Sequence, residues 1–239
     1  MTNPIVNLTT MILIILSGLG FTVWFDIIAN GKKLIRREMP RRWWFTRLKL
    51  QSKLAIIMTI LLIISGAVFV FLAEYDNPET LGNLSLGNKV MASFFQSVTN
   101  RTAGFATISQ NALHTESKLF HCILMFIGGS PGGTAGGVKT TTIAMLFLAC
   151  LTFVRGGNDT ECMGKKISVE NFRTGFCVVM AAFSVFTVGT IAILIIEPDT
   201  VPLVNVLYET ASAIGTVGLT ADLTPHLARA SQVVPVSYT

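Results

Sequence analysis

FFQSVTNRTAGFAT, residues 94–107, aligns on its glycine with YETASAIGTVGLTA, residues 208–221, at a constant offset of 114. Each copy closes a short apolar segment, VMASFFQSVTN at 90–100 and VPLVNVLYETASAI at 201–214. Neither segment is long enough to cross the roughly 30 Å hydrocarbon core of a bilayer as a helix. Each follows an uncharged run that is long enough, residues 54–73 and 174–196. Long span, short helix and TxG loop therefore occur twice, an internal repeat, and each short helix is expected to dip into the membrane and return.

Composition agrees with a membrane setting. Charged residues make up 13% of the chain, hydrophobic ones 51%, and the mean hydropathy is +0.62. That leaves too little polar surface to clothe a soluble globule of 239 residues. Residues 5–25 form a third uncharged run of spanning length. The opening MTNPIVNLTT lacks the basic region of a secretory signal, so this run is expected to persist as a span. The net charge of +5 does not mark a nucleic-acid binder, because nine of the eighteen Lys and Arg lie between Lys32 and Lys53, against the single acid Glu38. That bias is a topology signal and places loop 31–53 in the cytoplasm. Alternation then puts Glu74, Asp76 and Glu79 outside, Arg155, Lys165, Lys166 and Arg173 inside, and Glu197 and Asp199 outside.

A fourth apolar region, 119–154, is interrupted by Lys139 and by GGSPGGTAGG, residues 128–137, in which six of ten residues are Gly and one is Pro. Helices over 117–127 and 138–154 would measure roughly 16 and 25 Å and already suffice to cross. The glycine stretch is then surplus backbone at membrane depth, tolerated only where it is buried in protein or lines a water-filled cavity. This places Gly132 to Gly137 against a pore, with Lys139 directed to an interior partner rather than to lipid. TAGF (Thr102–Phe105) and TVGL (Thr216–Leu219) are similar to the TVGYG of potassium-channel filters, in which backbone carbonyls replace a cation's water shell and glycine supplies the backbone freedom.

At these residues the chain resembles the Trk/Ktr/HKT superfamily of potassium-translocating subunits, in its Ktr/NtpJ-like branch. SVTNRTAGF (97–105) resembles that family's third filter loop, GGSPGGTAGGVKTTT (128–142) the break in the span that follows, and SAIGTVGLT (212–220) its fourth filter loop. Residues 4–28 resemble the second span of the second repeat. The resemblance implies an all-α polytopic membrane protein with part of a pseudo-fourfold pore. Its expected organisation is a transmembrane helix over 1–30, the basic cytoplasmic loop 31–53, repeat 3 over 54–157, a cytoplasmic loop over 158–173, and repeat 4 over 174–232 without its closing span. The first repeat and the outward span and filter loop of the second are expected to be absent. The implied ion-binding filter residues are Asn100, Thr102, Ala103 and Gly104 with Gly215, Thr216, Val217 and Gly218. Gly132, Gly133, Thr134, Gly136, Gly137 and Lys139 are implied to form an intramembrane gate, and Arg101 to brace the filter. A homodimer with a cytoplasmic nucleotide-binding regulatory subunit is implied too, in the cell membrane and in contact with lipid.

The expected function is translocation of potassium, alone or coupled to sodium, with no cofactor and no metal beyond the transported ion. No catalytic constellation is visible. Preference for K⁺ over Na⁺ is left open, since Leu219 stands where the channel motif has Tyr. Two other classes are an assembly-only membrane fragment and a secondary transporter of a small solute built on broken helices. For the glycine decapeptide, a phosphate loop is disfavoured because Val138 separates Gly137 from Lys139, and glycine-mediated helix packing is the plain alternative. The TxG loops can also be read as helix C-caps. Ser17, Gly18 and Gly20 are read as packing residues. Cys122, Cys150, Cys162 and Cys177 show no pairing or metal spacing. His114, His121, His226 and Asp26 are expected to be interfacial or satisfied. The outer acids are read either as a cation-concentrating mouth or as ordinary solvated loops.

Overall fold

The computed structural model describes residues 3–37, 40, 44–156, 161–162, 165–166, 168–197, 201–224 and 231. Glu38, Arg41, Arg42, Asp199 and His226 lie outside the described residues, as do residues 158–160, 163–164 and 167 of loop 158–173 and most of the stretch after Thr224. The elements are α1 (Pro4–Gly18), α2 (Phe21–Ile35), α3 (Trp44–Arg47), α4 (Leu50–Ala73), α5 (Leu86–Thr99), α6 (Thr115–Phe126), α7 (Thr140–Val154), β1 (Glu161–Cys162), β2 (Lys165–Lys166), α8 (Val169–Ile196) and α9 (Leu203–Ile214). The all-α expectation stands, apart from the antiparallel pairing of the two-residue strands β1 and β2.

Helices α4 and α8, with 24 and 28 residues, are long and apolar enough to cross a membrane. At 1.5 Å per residue they reach roughly 36 and 42 Å. Helix α8 buries Gly175, Gly189, Thr190 and Ile193 and leaves most of its apolar side chains facing outward, as a helix solvated by hydrocarbon does. The expected repeat is present as α4–α5–loop and α8–α9–loop, with α5 and α9 at 14 and 12 residues each stopping just before its TxG. The predicted break in the fourth apolar region is also present, between α6 and α7. Its two edges are stitched by the Val138 N–H donating to the Phe126 carbonyl at 2.9 Å.

The unbroken span expected over residues 5–25 is not found. The run splits at Leu19–Gly20 into α1 and α2, which meet at 93°. The physical reason is Gly20, whose φ of +80° lies in the left-handed region and ends the helical hydrogen-bond pattern. The residue read as a packing glycine is the hinge point of a broken helix.

The packing that sets the short helices is close. Helix α5 lies on α4 and α1, where Phe95 and Val98 bury against Met11. The Ser97 hydroxyl donates to the Ile63 carbonyl at 2.8 Å. This contact is possible because position 66 is glycine: a Cβ there would lie 2.2 Å from Ser97 Oγ and 2.9 Å from Leu124 Cδ1. Helix α9 lies on α6, where Tyr208 and Ala211 pack with Cys122 and Met125.

Just past the end of α4, Glu74 is fully buried and takes part in no outer acidic mouth. Its carboxylate accepts from Asn77 Nδ2 and Thr80 Oγ1, each at 2.7 Å, and from the His114 N–H at 2.9 Å. It thereby ties the end of α4 to the start of α6. Burial pushes its pKa up, and the Ser117 hydroxyl with the Thr80, Asn77 and His114 donors more than offsets this, holding the group below its ordinary range. His121, expected to be interfacial or satisfied, is instead fully buried with neither ring nitrogen hydrogen-bonded.

Two outcomes follow from these contacts. Gly66→Val should destabilise the protein in detergent by about 1–3 kcal/mol through overpacking, read as a lower melting temperature; an unchanged value would contradict the α4–α5 contact. A folded-state pKa below the unfolded value means that the stability from Glu74 is present above the ordinary carboxyl value of 4.5 and is lost as pH falls through the folded value. The melting temperatures of wild type and Glu74→Gln should therefore differ at neutral pH and converge in acid.

Candidate functional site

The two TxG loops meet glycine to glycine. A Cβ built on Gly104 would lie 2.4 Å from the Val217 carbonyl oxygen and 3.4 Å from Gly218 Cα, and one on Gly218 would lie 3.8 Å from Gly104 Cα. The loops also share an unusual backbone. Thr102 (φ 69°) and Gly104 (φ 76°) are left-handed, as are Thr216 (φ 51°) and Gly218 (φ 85°), whereas Ala103 and Val217 between them are not. Alternating handedness turns successive carbonyls toward one side, which a carbonyl-lined ion path requires. A left-handed threonine costs energy that the surroundings must supply, and its occurrence at the same place in both copies ties the strain to the loop's role. In the second loop the alternation is visible in burial: Thr216 and Gly218 are exposed, while Val217 and Leu219 pack on Cys122, Met125 and Tyr208. Gly215 is buried with its N–H on the Ala211 carbonyl. Asn100 closes α5 with its side chain fully enclosed and both amide atoms without a hydrogen-bond partner.

Behind each loop, polar side chains from the preceding short helix hold the outgoing strand. Thr99 Oγ1 donates to the Phe105 carbonyl at 2.6 Å. Gln96 and Gln110 pair by their amides, and Tyr208 donates to Gln110 Oε1 at 2.8 Å, joining the two repeats. In the second repeat Glu209 accepts from Thr220 Oγ1 (2.6 Å), the Ala221 N–H (2.9 Å), the Leu223 N–H (3.3 Å) and Thr224 Oγ1 (2.6 Å). Gln110 and Thr224 are the same position under the 114-residue offset, but their helix partners are not: Gln96 corresponds to Thr210, and Glu209 to Phe95. Sequence reasoning missed Gln96, Gln110, Tyr208 and Glu209. The available signal was an acid and an amide inside short apolar helices.

The glycine loop passes beneath the second TxG loop. A Cβ on Gly136 would lie 2.2 Å from Thr216 Oγ1 and 2.6 Å from the Gly215 carbonyl oxygen, so only glycine fits without displacing that loop. Gly137 is left-handed at φ 68°. Lys139 is the N-cap of α7 and turns its ammonium back on the Ala135 carbonyl at 2.7 Å. Thr134 and Gly132 are exposed, and Gly133 sits against the Ser17 and Gly18 carbonyls of α1. The buried Arg101 guanidinium points at the Gly128 carbonyl, 3.5 Å from Nη2, so it faces the glycine loop from the first TxG loop. The expected filter and gate residues are thus brought into one cluster.

The family model described as TrkH, cation transport protein, matches residues 1–235. This chain belongs to the TrkH family. Within that family it is 34% identical over 232 residues to the Ktr system potassium uptake protein B of Bacillus subtilis (strain 168), covering 97% of this chain and 49% of that protein. It is 32% identical over 238 residues to the potassium/sodium uptake protein NtpJ of Enterococcus hirae, covering 99% and 50%. The crystal structure of the potassium transporter TrkH from Vibrio parahaemolyticus shares its fold at a TM-score of 0.70 and 18% identity, over 100% of this chain and 50% of that one. The chain spans about half the length of the TrkH-family proteins it matches. With its apolar helices, this makes it a membrane protein of a cation transport family.

Glu209→Gln keeps the shape of the side chain and removes its charge. It should cost about 1.5–3 kcal/mol, the range for hydrogen bonds to a charged group, and speed hydrogen exchange at residues 220–224. Unchanged exchange there would show that Glu209 does not hold this strand.

Proposed function

We propose that this chain supplies two of the four carbonyl-lined loops of a pore that carries potassium across the cell membrane, as part of a Trk/Ktr-type uptake system. The observation that carries the reading is the meeting of two TxG loops with the same left-handed Thr and Gly. In this reading the other two loops belong to the half of its relatives that the chain does not match. The names of those relatives, potassium uptake proteins and a potassium/sodium uptake protein, point to the same ion class.

The mechanism follows from dehydration. A potassium ion leaving water needs a set of oxygens that replaces its shell, and carbonyls from opposed loops offer them without adding charge. Asn100, Thr102, Ala103 and Gly104 with Gly215, Thr216, Val217 and Gly218 line this path, and Arg101 steadies the first loop. The glycine loop, Gly132, Gly133, Thr134, Gly136 and Gly137, reaches the second filter loop at Gly136 and acts as its gate, while the Lys139 ammonium fixes the closed turn through the Ala135 carbonyl. The basic loop 31–53 faces the cytoplasm by the positive-inside rule. The partners of this reading are a second copy of the subunit and a cytoplasmic nucleotide-binding regulator, and its location is the cell membrane.

Potassium-limited growth tests this in a cell without its own uptake systems, using this sequence within a protein of its relatives' full length. The full-length protein should restore growth. Gly104→Ala in it should cut potassium uptake about tenfold or more at equal membrane abundance, because the added carbon cannot sit 2.4 Å from the Val217 oxygen. No uptake by the full-length protein at normal membrane level would leave the assembly-only or small-solute reading in its place.

A further inference from the structure

A helix that stops at membrane depth leaves its last carbonyls and its successor's first N–H groups without partners, and lipid offers none. At the break between α1 and α2 these groups are met by the glycine loop. Gly18 O accepts the Ser130 N–H at 2.9 Å, and the Phe21 N–H donates to Gly132 O at 3.0 Å. Thr22 Oγ1 donates to Pro131 O at 3.2 Å. The two backbones interleave without side chains: a Cβ on Gly20 would lie 2.5 Å from Pro131 O and 2.8 Å from Gly133 N, and one on Gly133 would lie 3.1 Å from Ser17 O. The elbow itself is braced, since the Trp24 indole N–H donates to Leu16 O at 2.8 Å across the bend. Its far arm is anchored too, because Asp26 Oδ2 accepts the Lys49 N–H at 2.8 Å at the start of α4 and Asp26 Oδ1 accepts from Asn30 at 3.0 Å.

We infer that the α1–α2 elbow is the catch of the gate: Gly18, Gly20, Phe21 and Thr22 hold the glycine loop beneath the second TxG loop and set how readily it leaves the ion path. The inference rests on the gating role proposed above. Movement of the loop out of the path breaks three hydrogen bonds to the elbow, and lipid offers the freed groups no replacement. Thr22 is the member whose contribution can be removed without altering backbone. It is a positioning residue, since it touches the loop and not the ion.

The test uses the full-length protein in single-channel or liposome flux measurements. Thr22→Val keeps the side-chain shape and deletes the donor, so potassium flux per protein should rise about three- to tenfold, the worth of one hydrogen bond removed from the closed state. The K⁺/Na⁺ flux ratio should not change, and Thr22→Ser should match wild type. A merely structural role for Thr22 lowers protein yield and does not raise flux per molecule. Wild-type flux, or reduced flux, in Thr22→Val while Gly104→Ala still impairs transport would overturn the catch and leave the pore reading standing. Absence of potassium flux in the wild-type full-length protein would overturn both.

Discussion

In an apolar medium every backbone N–H and C=O must find its partner within the protein, and this chain breaks its apolar helices repeatedly. The architecture answers that constraint. Helix α5 ends at the first TxG loop, α9 at the second, α6 at the glycine loop and α1 at the Gly20 elbow. These interruptions lie together: the elbow's freed groups bond the glycine loop, Gly136 of that loop packs under Gly215 and Thr216, and the second TxG loop meets the first at Gly104. Four close approaches, at positions 20, 104, 136 and 215, leave no room for a Cβ without movement. The glycines of this family member are thus less a source of flexibility than a means of bringing polar backbone to polar backbone.

Around that backbone cluster, a second layer of side chains fixes shape. Glu209 and the Gln96–Gln110–Tyr208 group hold the strands that leave the TxG loops, and Glu74 ties the ends of α4 and α6. All of these are buried polar groups with hydrogen-bond partners, and Glu74, Glu209 and Gln110 have several, which is what makes such groups affordable in an apolar interior. The left-handed threonines at 102 and 216 persist because this layer over-determines them.

Much of this was legible in the sequence because it depends on local pattern. The 114-residue repeat, the short helices before each TxG and the break at 128–137 follow from apolar run lengths and glycine density. The elbow was not legible. Leu19–Gly20 sits in an apolar run with no proline and no charge, and a single glycine there reads equally as a packing site; the bend exists because the glycine loop, more than 100 residues later, offers bonds that a straight helix would refuse. Glu209 and Gln110 were missed for the same reason, since their partners lie 11 to 98 positions away. Glu74 looked like a loop acid because periodicity cannot tell a solvated carboxylate from one enclosed by four residues.

The claim on which the account depends is that the two TxG loops jointly coordinate a monovalent cation. The most direct measurement is the structure of the full-length protein in rubidium or thallium, which mark potassium positions by their scattering. The account predicts density on the axis beside the carbonyls of residues 102–104 and 216–218. Occupied cation density elsewhere in the protein, with none at these loops, would contradict it.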